Sequence, residues 1–402
     1  MKILFADQSF SFELLRILGE AVYGGSDINE CLQTAANIRE GDCESWYQEW
    51  HRTAERVQRI GEACMVRGHG TSAREALLRA CNYHRCSEFF LHLDIGKEDP
   101  RAQNAYLQSI TCFRKAISYL PFLCEEVSIP YENGNLPGYF FRAGEGRRAT
   151  LLVHSGFDGT MEEIYFGQVQ AALERGYHCL AFEGPGQGRV IRLQRLPFRP
   201  DWEKVVTPVV DYALTRPEID GDHLALKGGS MGGYLAPRAA AFEHRLAACI
   251  AVDGLFSFGP SDLGITGGAP LASLTEERID AILRAKIQEN LQWRWSIGQG
   301  MWAMQATSFL DLLNKIGQYT LEGIADQITC PTLVCDAEKD HFFDKQPKML
   351  YDALQCPKTY MPFTTEDAAE EHCHTGASFL LNQRVFDWLD ETLAARMPAD
   401  RS

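Results

Sequence analysis

Through roughly the first 120 residues, apolar side chains recur at three- and four-residue intervals with polar residues between them, the spacing of one buried helix face. The pattern predicts helices over 12–22, 27–38, 43–67, 72–89 and 100–120, and no strand interrupts them. Two starts are marked by capping-box spacing, Asp27 before Glu30 and Ser72 before Glu75. Tyr83, His84 and Arg85 read as part of a packed helix with solvated polar edges rather than as a substrate surface.

The period changes at Cys124. Residues 126–130 and 138–142 alternate as an antiparallel hairpin turning at 132–135, and 149–154 is a buried strand. Helix and strand patterns then alternate: helix 162–175, strand 178–183, helix 202–215, strand 223–226, helix 234–242, then strands 248–252, 332–335 and 359–362 and a closing helix over 376–393. This order predicts an α/β fold with a mostly parallel sheet flanked by helices, its ligands bound beyond the carboxyl ends of the strands. The expected division is a helical N-terminal domain, 1–122, and an α/β domain, 123–402. About eighty residues separate the strands near 252 and 331, too many for one crossover helix, so a helical cap insertion is expected over about 257–325. Its helices are expected over 274–295 and 301–319, and Trp293, Trp295, Met301, Trp302 and Met304 are candidates to line an apolar pocket or to pack the helices.

Composition narrows the partners. A chain of 402 residues with 45% hydrophobic content buries a large core, and a formal net charge of -15 disfavours nucleic acid and anionic membranes, leaving a small molecule as the expected partner. The 13 cysteines are scattered without C-x-x-C pairs, which suggests neither a zinc site nor a disulfide framework but buried thiols in a reducing, cytoplasmic setting. Asp7, Gln8 and Glu13 break up any early apolar run, and none elsewhere is long enough to span a membrane.

Candidate chemistry centres on Gly228-Gly229-Ser230-Met231-Gly232, a Gly-x-Ser-x-Gly pattern between a strand and a helix. It is a nucleophile elbow, which exposes a serine on a strained turn and requires a base, an orienting acid and oxyanion donors. Asp340, several residues into the loop after the strand at 332–335, is the expected acid; Asp336 is expected to bond local backbone amides, and Asp253 is the fallback. His372 and His374 compete as the base, and their spacing alone does not separate them. The oxyanion amides are expected from Met231 and from Phe157, in the loop after the first buried parallel strand. The run Glu183-Gly184-Pro185-Gly186-Gln187-Gly188 lacks the order of a phosphate loop and reads as a structural turn; no metal or cofactor is expected.

With these residues in place the chain resembles the FrsA-like α/β-hydrolases that carry an N-terminal helical domain, the group of 2,6-dihydroxypseudooxynicotine hydrolase and the polyketide-shortening hydrolases of pigment pathways. The likeness rests on Gly41-Asp42, Glu44-Ser45-Trp46-Tyr47, Ser72-Ala73-Arg74-Glu75, the Gly184–Gly188 turn, Asp201-Trp202-Glu203, the elbow, and Glu371-His372-Cys373. In that family a His-Cys pair carries the base, which implies His372; His374 stands where a glutamine is expected and is a candidate substrate contact. The resemblance implies the α/β-hydrolase fold, hydrolysis of a carbon-carbon bond beside a ketone, and, by analogy, a homodimer. An esterase, thioesterase or acyltransferase would use the same residues, and a non-catalytic binding or cyclisation-guiding protein would keep the fold alone.

Overall fold

The computed structural model describes residues 2–93 and 95–395. Helices α1 Gln8–Gly19, α2 Ile28–Ala35, α3 Cys43–Val66, α4 Gly70–Glu88 and α5 Pro100–Ile117 come first. Strands β1 Leu123–Tyr131, β2 Gly134–Arg142 and β3 Arg148–His154 follow, then α6 Met161–Ile164, a π turn into α7 Gln170–Glu174, and β4 His178–Phe182. The middle of the chain supplies α8 Glu203–Leu214, β5 Ile219–Gly229, α9 Gly232–Ala240, β6 Ala248–Val252, α10 Glu276–Glu289, α11 Leu291–Ala303 and α12 Phe309–Ile316. Strand β7 Thr332–Ala337, α13 Gln346–Ala353, β8 Lys358–Phe363 and α14 Ser378–Ala394 complete it.

Two compact units form, Met1–Cys124 with Ala272–Leu312, and Glu125–Leu271 with Leu313–Ser402. The segment expected as a cap insertion thus divides, and α10 and α11 group with the N-terminal helices. In that helical unit Phe10, Trp46 and Phe90 pack ring on ring, with centroids 4.9 and 5.2 Å from Trp46. Gly298 explains how closely α11 packs on the segment after α4, since a Cβ there would stand 2.4 Å from the His92 carbonyl oxygen. Trp295 stacks on Phe89 at 4.7 Å and donates to its carbonyl, and Trp302 stacks on His92 at 4.4 Å.

Two helix starts differ from expectation. Ser72 lies inside α4, because the left-handed Gly68 and the bond from the His69 amide to the Cys64 carbonyl turn the chain so tightly that the helix begins at Gly70. The continuous helix expected over 274–295 is broken at Asn290, whose extended backbone lets its side chain accept from the Trp293 amide and cap α11. Tyr83, His84 and Arg85 are buried: the Tyr83 hydroxyl donates to Glu30, and the His84 ring bonds Gln58.

The second unit carries an eight-stranded sheet in the order β1-β2-β4-β3-β5-β6-β7-β8. Strand β2 pairs antiparallel with β4, and the strands from β4 to β8 pair parallel with their neighbours. Every residue of β4 and β6 is buried, which accounts for their unbroken apolar runs. The strand order reverses beside β3 and β5, so the loops leaving those strands border the crevice where such sheets bind ligands.

Candidate active site

Ser230 follows β5 directly and adopts φ 59°, the left-handed strain expected of an elbow nucleophile. Its amide donates to the Val252 carbonyl at 3.1 Å, and its carbonyl accepts from Gly233 at 2.7 Å, which hold the turn. Glycine at 228 is obligatory: a Cβ there would lie 2.2 Å from the Gly232 carbonyl oxygen. Helix α9 starts at Gly232, so Pro237 sits inside it rather than in its first turn; the Gly233 carbonyl that proline leaves without its helical partner accepts from the Leu255 amide.

His372 Nε2 lies 3.0 Å from Ser230 Oγ, and its Nδ1 lies 2.7 Å from Asp340 Oδ2. Asp340 Oδ1 accepts the amides of Phe342 and Phe343, which fixes the carboxylate toward the ring. Burial disfavours its ionisation, but the facing His372 charge and these hydrogen bonds outweigh it and hold the Asp340 carboxyl below its ordinary range. Burial likewise opposes a charge on His372, and Asp340, Cys373 and Asp253 together raise its proton affinity well above that of a free imidazole. Local amides were expected to be the partners of Asp336; it accepts instead from the Tyr360 hydroxyl across β7 and β8.

His374 takes a different place. It is 1% exposed, lies against the Phe363 ring at 3.9 Å, and its Nδ1 is 3.1 Å from the Ala369 carbonyl. Asp253, the fallback acid, also joins the site: its Oδ2 lies 3.0 Å from His372 Nδ1 and accepts from the Cys373 amide, while Oδ1 is 3.4 Å from His374 Nε2. Two carboxylates therefore face one imidazole nitrogen. Asp253, Cys373 and His374 all have positive φ, at 52°, 53° and 54°.

The loop after β3 meets the elbow closely. A Cβ at Gly156 would stand 2.7 Å from the Gly229 carbonyl and 3.0 Å from the Met231 nitrogen, so glycine lets this loop come alongside the oxyanion candidates. Phe157 follows, its ring against Phe198 at 6.0 Å and Phe258 at 6.4 Å. Phe342 and Phe343 pack edge-on to His372 at 4.8 and 5.3 Å, so this candidate base stands in aromatic surroundings. Trp293 lies under the Lys286 ammonium at 4.1 Å within the helical unit.

Comparison with known proteins gives the family. An alpha/beta hydrolase family model matches residues 150–383, and an esterase FrsA-like model matches 17–256. The chain belongs to the alpha/beta hydrolase family. It is 37% identical to alpha/beta hydrolase psoB of Aspergillus fumigatus, over 96% of this chain and 94% of that one. It is 34% identical to 20-hydroxy-prefusarin hydrolase FUS2 of Gibberella moniliformis, over 98% and 99%. The structure of a 2,6-dihydroxy-pseudo-oxynicotine hydrolase shares the fold at TM-score 0.74 and 20% identity, covering 94% of this chain and 96% of that one.

Two features of this hydrolase lay outside the sequence-based expectation. Gln187, in the turn read as structural, accepts from the Gly184 amide and donates to the carbonyls of Ser155 at 2.7 Å and Gly156 at 3.3 Å, tying that turn to the loop before Phe157. Lys227, three residues before Ser230, is buried in the sheet with no hydrogen bond to its ammonium among the described residues. Burial pushes its amine down to about 8, which the neighbouring thiols of Cys335, Cys373 and Cys179 only partly oppose. Among the described residues Asp253, His372 and Cys373 form one group whose ligand atoms lie within 4.8 Å of one another, close enough for a metal ion. No helix among the described residues is long and apolar enough to cross a membrane.

Proposed function

We propose that the chain is a serine-dependent hydrolase whose triad is Ser230, His372 and Asp340, acting on a carbon-carbon bond beside a ketone in a bulky aromatic or polyketide-like substrate. The observation that carries the serine mechanism is the continuous hydrogen-bonded line from Ser230 Oγ through His372 to Asp340. His372 accepts the serine proton, Asp340 stabilises the imidazolium, and Ser230 Oγ adds to the carbonyl carbon. The amides of Met231 and Phe157 receive the oxyanion, each contributing about 2.7–4 kcal/mol to transition-state stabilisation. Collapse of the tetrahedral intermediate expels an enolate, His372 returns the proton to it, and water hydrolyses the acyl-enzyme with the same base.

The choice of an aromatic substrate is supported by Phe157, Phe198, Phe258, Phe342 and Phe343 around the nucleophile and base. It is also supported by the relatives named for 20-hydroxy-prefusarin and 2,6-dihydroxy-pseudo-oxynicotine. A cytoplasmic homodimer completes the proposal. The second reading, an esterase, thioesterase or acyltransferase with the same triad, is favoured by the esterase description of the FrsA-like family model.

Product analysis by mass spectrometry, with 1,3-diketones and p-nitrophenyl esters offered in parallel and alcohols added as acceptors, separates the two. Ser230→Ala is expected to lower turnover by at least about 10⁴-fold on whichever substrate is cleaved. Full activity in that variant removes the serine mechanism, and failure of a fluorophosphonate to label Ser230 favours a binding protein.

A further inference from the structure

The segment after β6 carries a ring that stands between the two arms of the proposed machinery and belongs to neither. Phe258 has its ring centroid 6.4 Å from that of Phe157, on the side of the proposed oxyanion amides, and 5.7 Å from that of Phe343, which in turn lies 5.3 Å from the His372 ring. Tyr319 borders it at 6.4 Å. We propose, resting on the serine-hydrolase reading, that Phe258 is the specificity-determining residue of this site: its ring is the fixed wall on which a planar aromatic group of the substrate stacks, with the reacting carbonyl toward Phe157 and the departing carbon toward His372.

Three observations converge on this ring. First, its backbone is held from both sides. The Gln346 carboxamide oxygen accepts the amides of Phe256 at 3.1 Å and Ser257 at 2.9 Å, the Phe258 amide donates to the Tyr319 carbonyl at 2.8 Å, and the Leu321 amide donates to the Phe256 carbonyl at 2.9 Å. Gln346 is buried and opens α13, just after the loop that carries Asp340 and Phe343, so one side chain joins the wall to the acid loop. A ring fixed in this way meets a ligand already in place, which lowers the ordering cost of binding.

Second, the neighbouring rings have other attachments. Phe198 fills the space over Gly186, where a Cβ would stand 2.1 Å from its ring, and Phe342 and Phe343 pack on His372 while their amides bond Asp340. Phe157 supplies an amide to the proposed oxyanion hole. Phe258 has no hydrogen bond to the triad among the described residues, so the shape of its side chain is set independently of the chemistry. Third, Phe157, Ser230 and Phe342 keep part of their surface exposed, and Phe258 keeps 9% of its own. Protein therefore holds the ring on most sides, and what remains is open to a ligand beside the nucleophile.

Rings at these separations accept another flat ring by its face or edge, whereas the tetrahedral carbons of a saturated ring of similar size cannot approach as closely. One added aromatic pair contributes about two- to tenfold in binding.

The experiment offers the full chain p-nitrophenyl benzoate and p-nitrophenyl cyclohexanecarboxylate, which differ in the flatness of the acyl ring. The ratio of their kcat/KM values is expected to fall by at least about threefold in Phe258→Leu and to hold in Phe258→Tyr, which keeps the ring. An unchanged ratio in Phe258→Leu, or an equal fall in Phe258→Tyr, overturns the assignment, since a merely structural residue lowers both esters together. Binding of benzoylacetone to Ser230→Ala, read by calorimetry, needs no turnover. Its dissociation constant is expected to rise by at least about threefold when Phe258→Leu is added, and an equal constant, or no binding with Phe258 in place, overturns the assignment. Benzoylacetone binding that depends on Phe258 while neither ester is cleaved leaves the ring's role standing and removes the serine reading, so the two failures are distinguishable.

Discussion

The His372 ring is flanked by two carboxylates, and they do not have equal roles. Asp340 lies 2.7 Å from Nδ1 with its second oxygen tied to two amides, whereas Asp253 lies 3.0 Å away and is also committed to the Cys373 amide. Both favour the protonated imidazole, and a base works only when deprotonated. Asp253→Asn removes one of the groups that raise the proton affinity of His372, so the acidic limb of kcat/KM is expected to move to lower pH. Measurement of that profile from pH 5 to 9 checks it; an unmoved limb means that Asp253 acts only on the backbone of Cys373.

At the scale of elements, the turn after β4 connects parts of the site that are distant in sequence. Gln187 bonds both carbonyls that lead into the Phe157 loop, which makes it a positioning residue for the proposed oxyanion amide. Gln187→Leu is expected to lower kcat by roughly 10²-fold with little change in KM, because displacement by about 1 Å has that effect on a transition-state donor. Steady-state kinetics alongside a melting curve distinguish this from general destabilisation.

Glu183, just before that turn, accepts from the amides of Met161 and Arg189 while lying near Glu162, which pairs with Arg189 at 2.6 Å. Burial first, and then the Glu162 charge, push the Glu183 carboxyl up to about 7. The folded protein therefore holds this proton more tightly than the unfolded chain, so stability from this group is full below pH about 4.5 and is lost as pH rises through about 7. Denaturant unfolding at pH 5.5 and 8.5 is expected to show a smaller decline for Glu183→Gln than for the unaltered chain; equal declines would place the pH dependence elsewhere.

At the scale of the whole molecule, Ala272–Leu312 belongs with the N-terminal helices although some 150 residues of chain intervene. Trp295 and Trp302 find their ring partners, Phe89 and His92, in that unit. A fragment that begins at Glu125 but keeps residues 272–312 is expected to expose these faces and to aggregate. A fragment with 272–312 also replaced by a short linker is expected to be more soluble. Comparative yield and light scattering test the pair, and equal behaviour would show that α10 and α11 do not depend on the first 124 residues.

The sequence by itself determined the parts governed by local pattern: five helical segments, the change to alternating strands near Cys124, and the elbow, where glycines around Ser230 admit only one kind of turn. Chain order placed Asp340 and a histidine in the loops after late strands, and the resemblance to a family pointed to His372 rather than His374. What remained depended on distances across the sheet, which no local period encodes. Only the folded chain set Asp253 beside His372 and His374 behind it, because the loops after β6 and β8 converge at the edge of parallel strands. The burial of Lys227 was hidden for a similar reason: one cation in an apolar strand reads as a boundary, and only the flanking strands decide that it is enclosed. Gln187 and Cys373 were visible as letters, but their task depends on which carbonyl or nitrogen the fold brings within hydrogen-bonding reach.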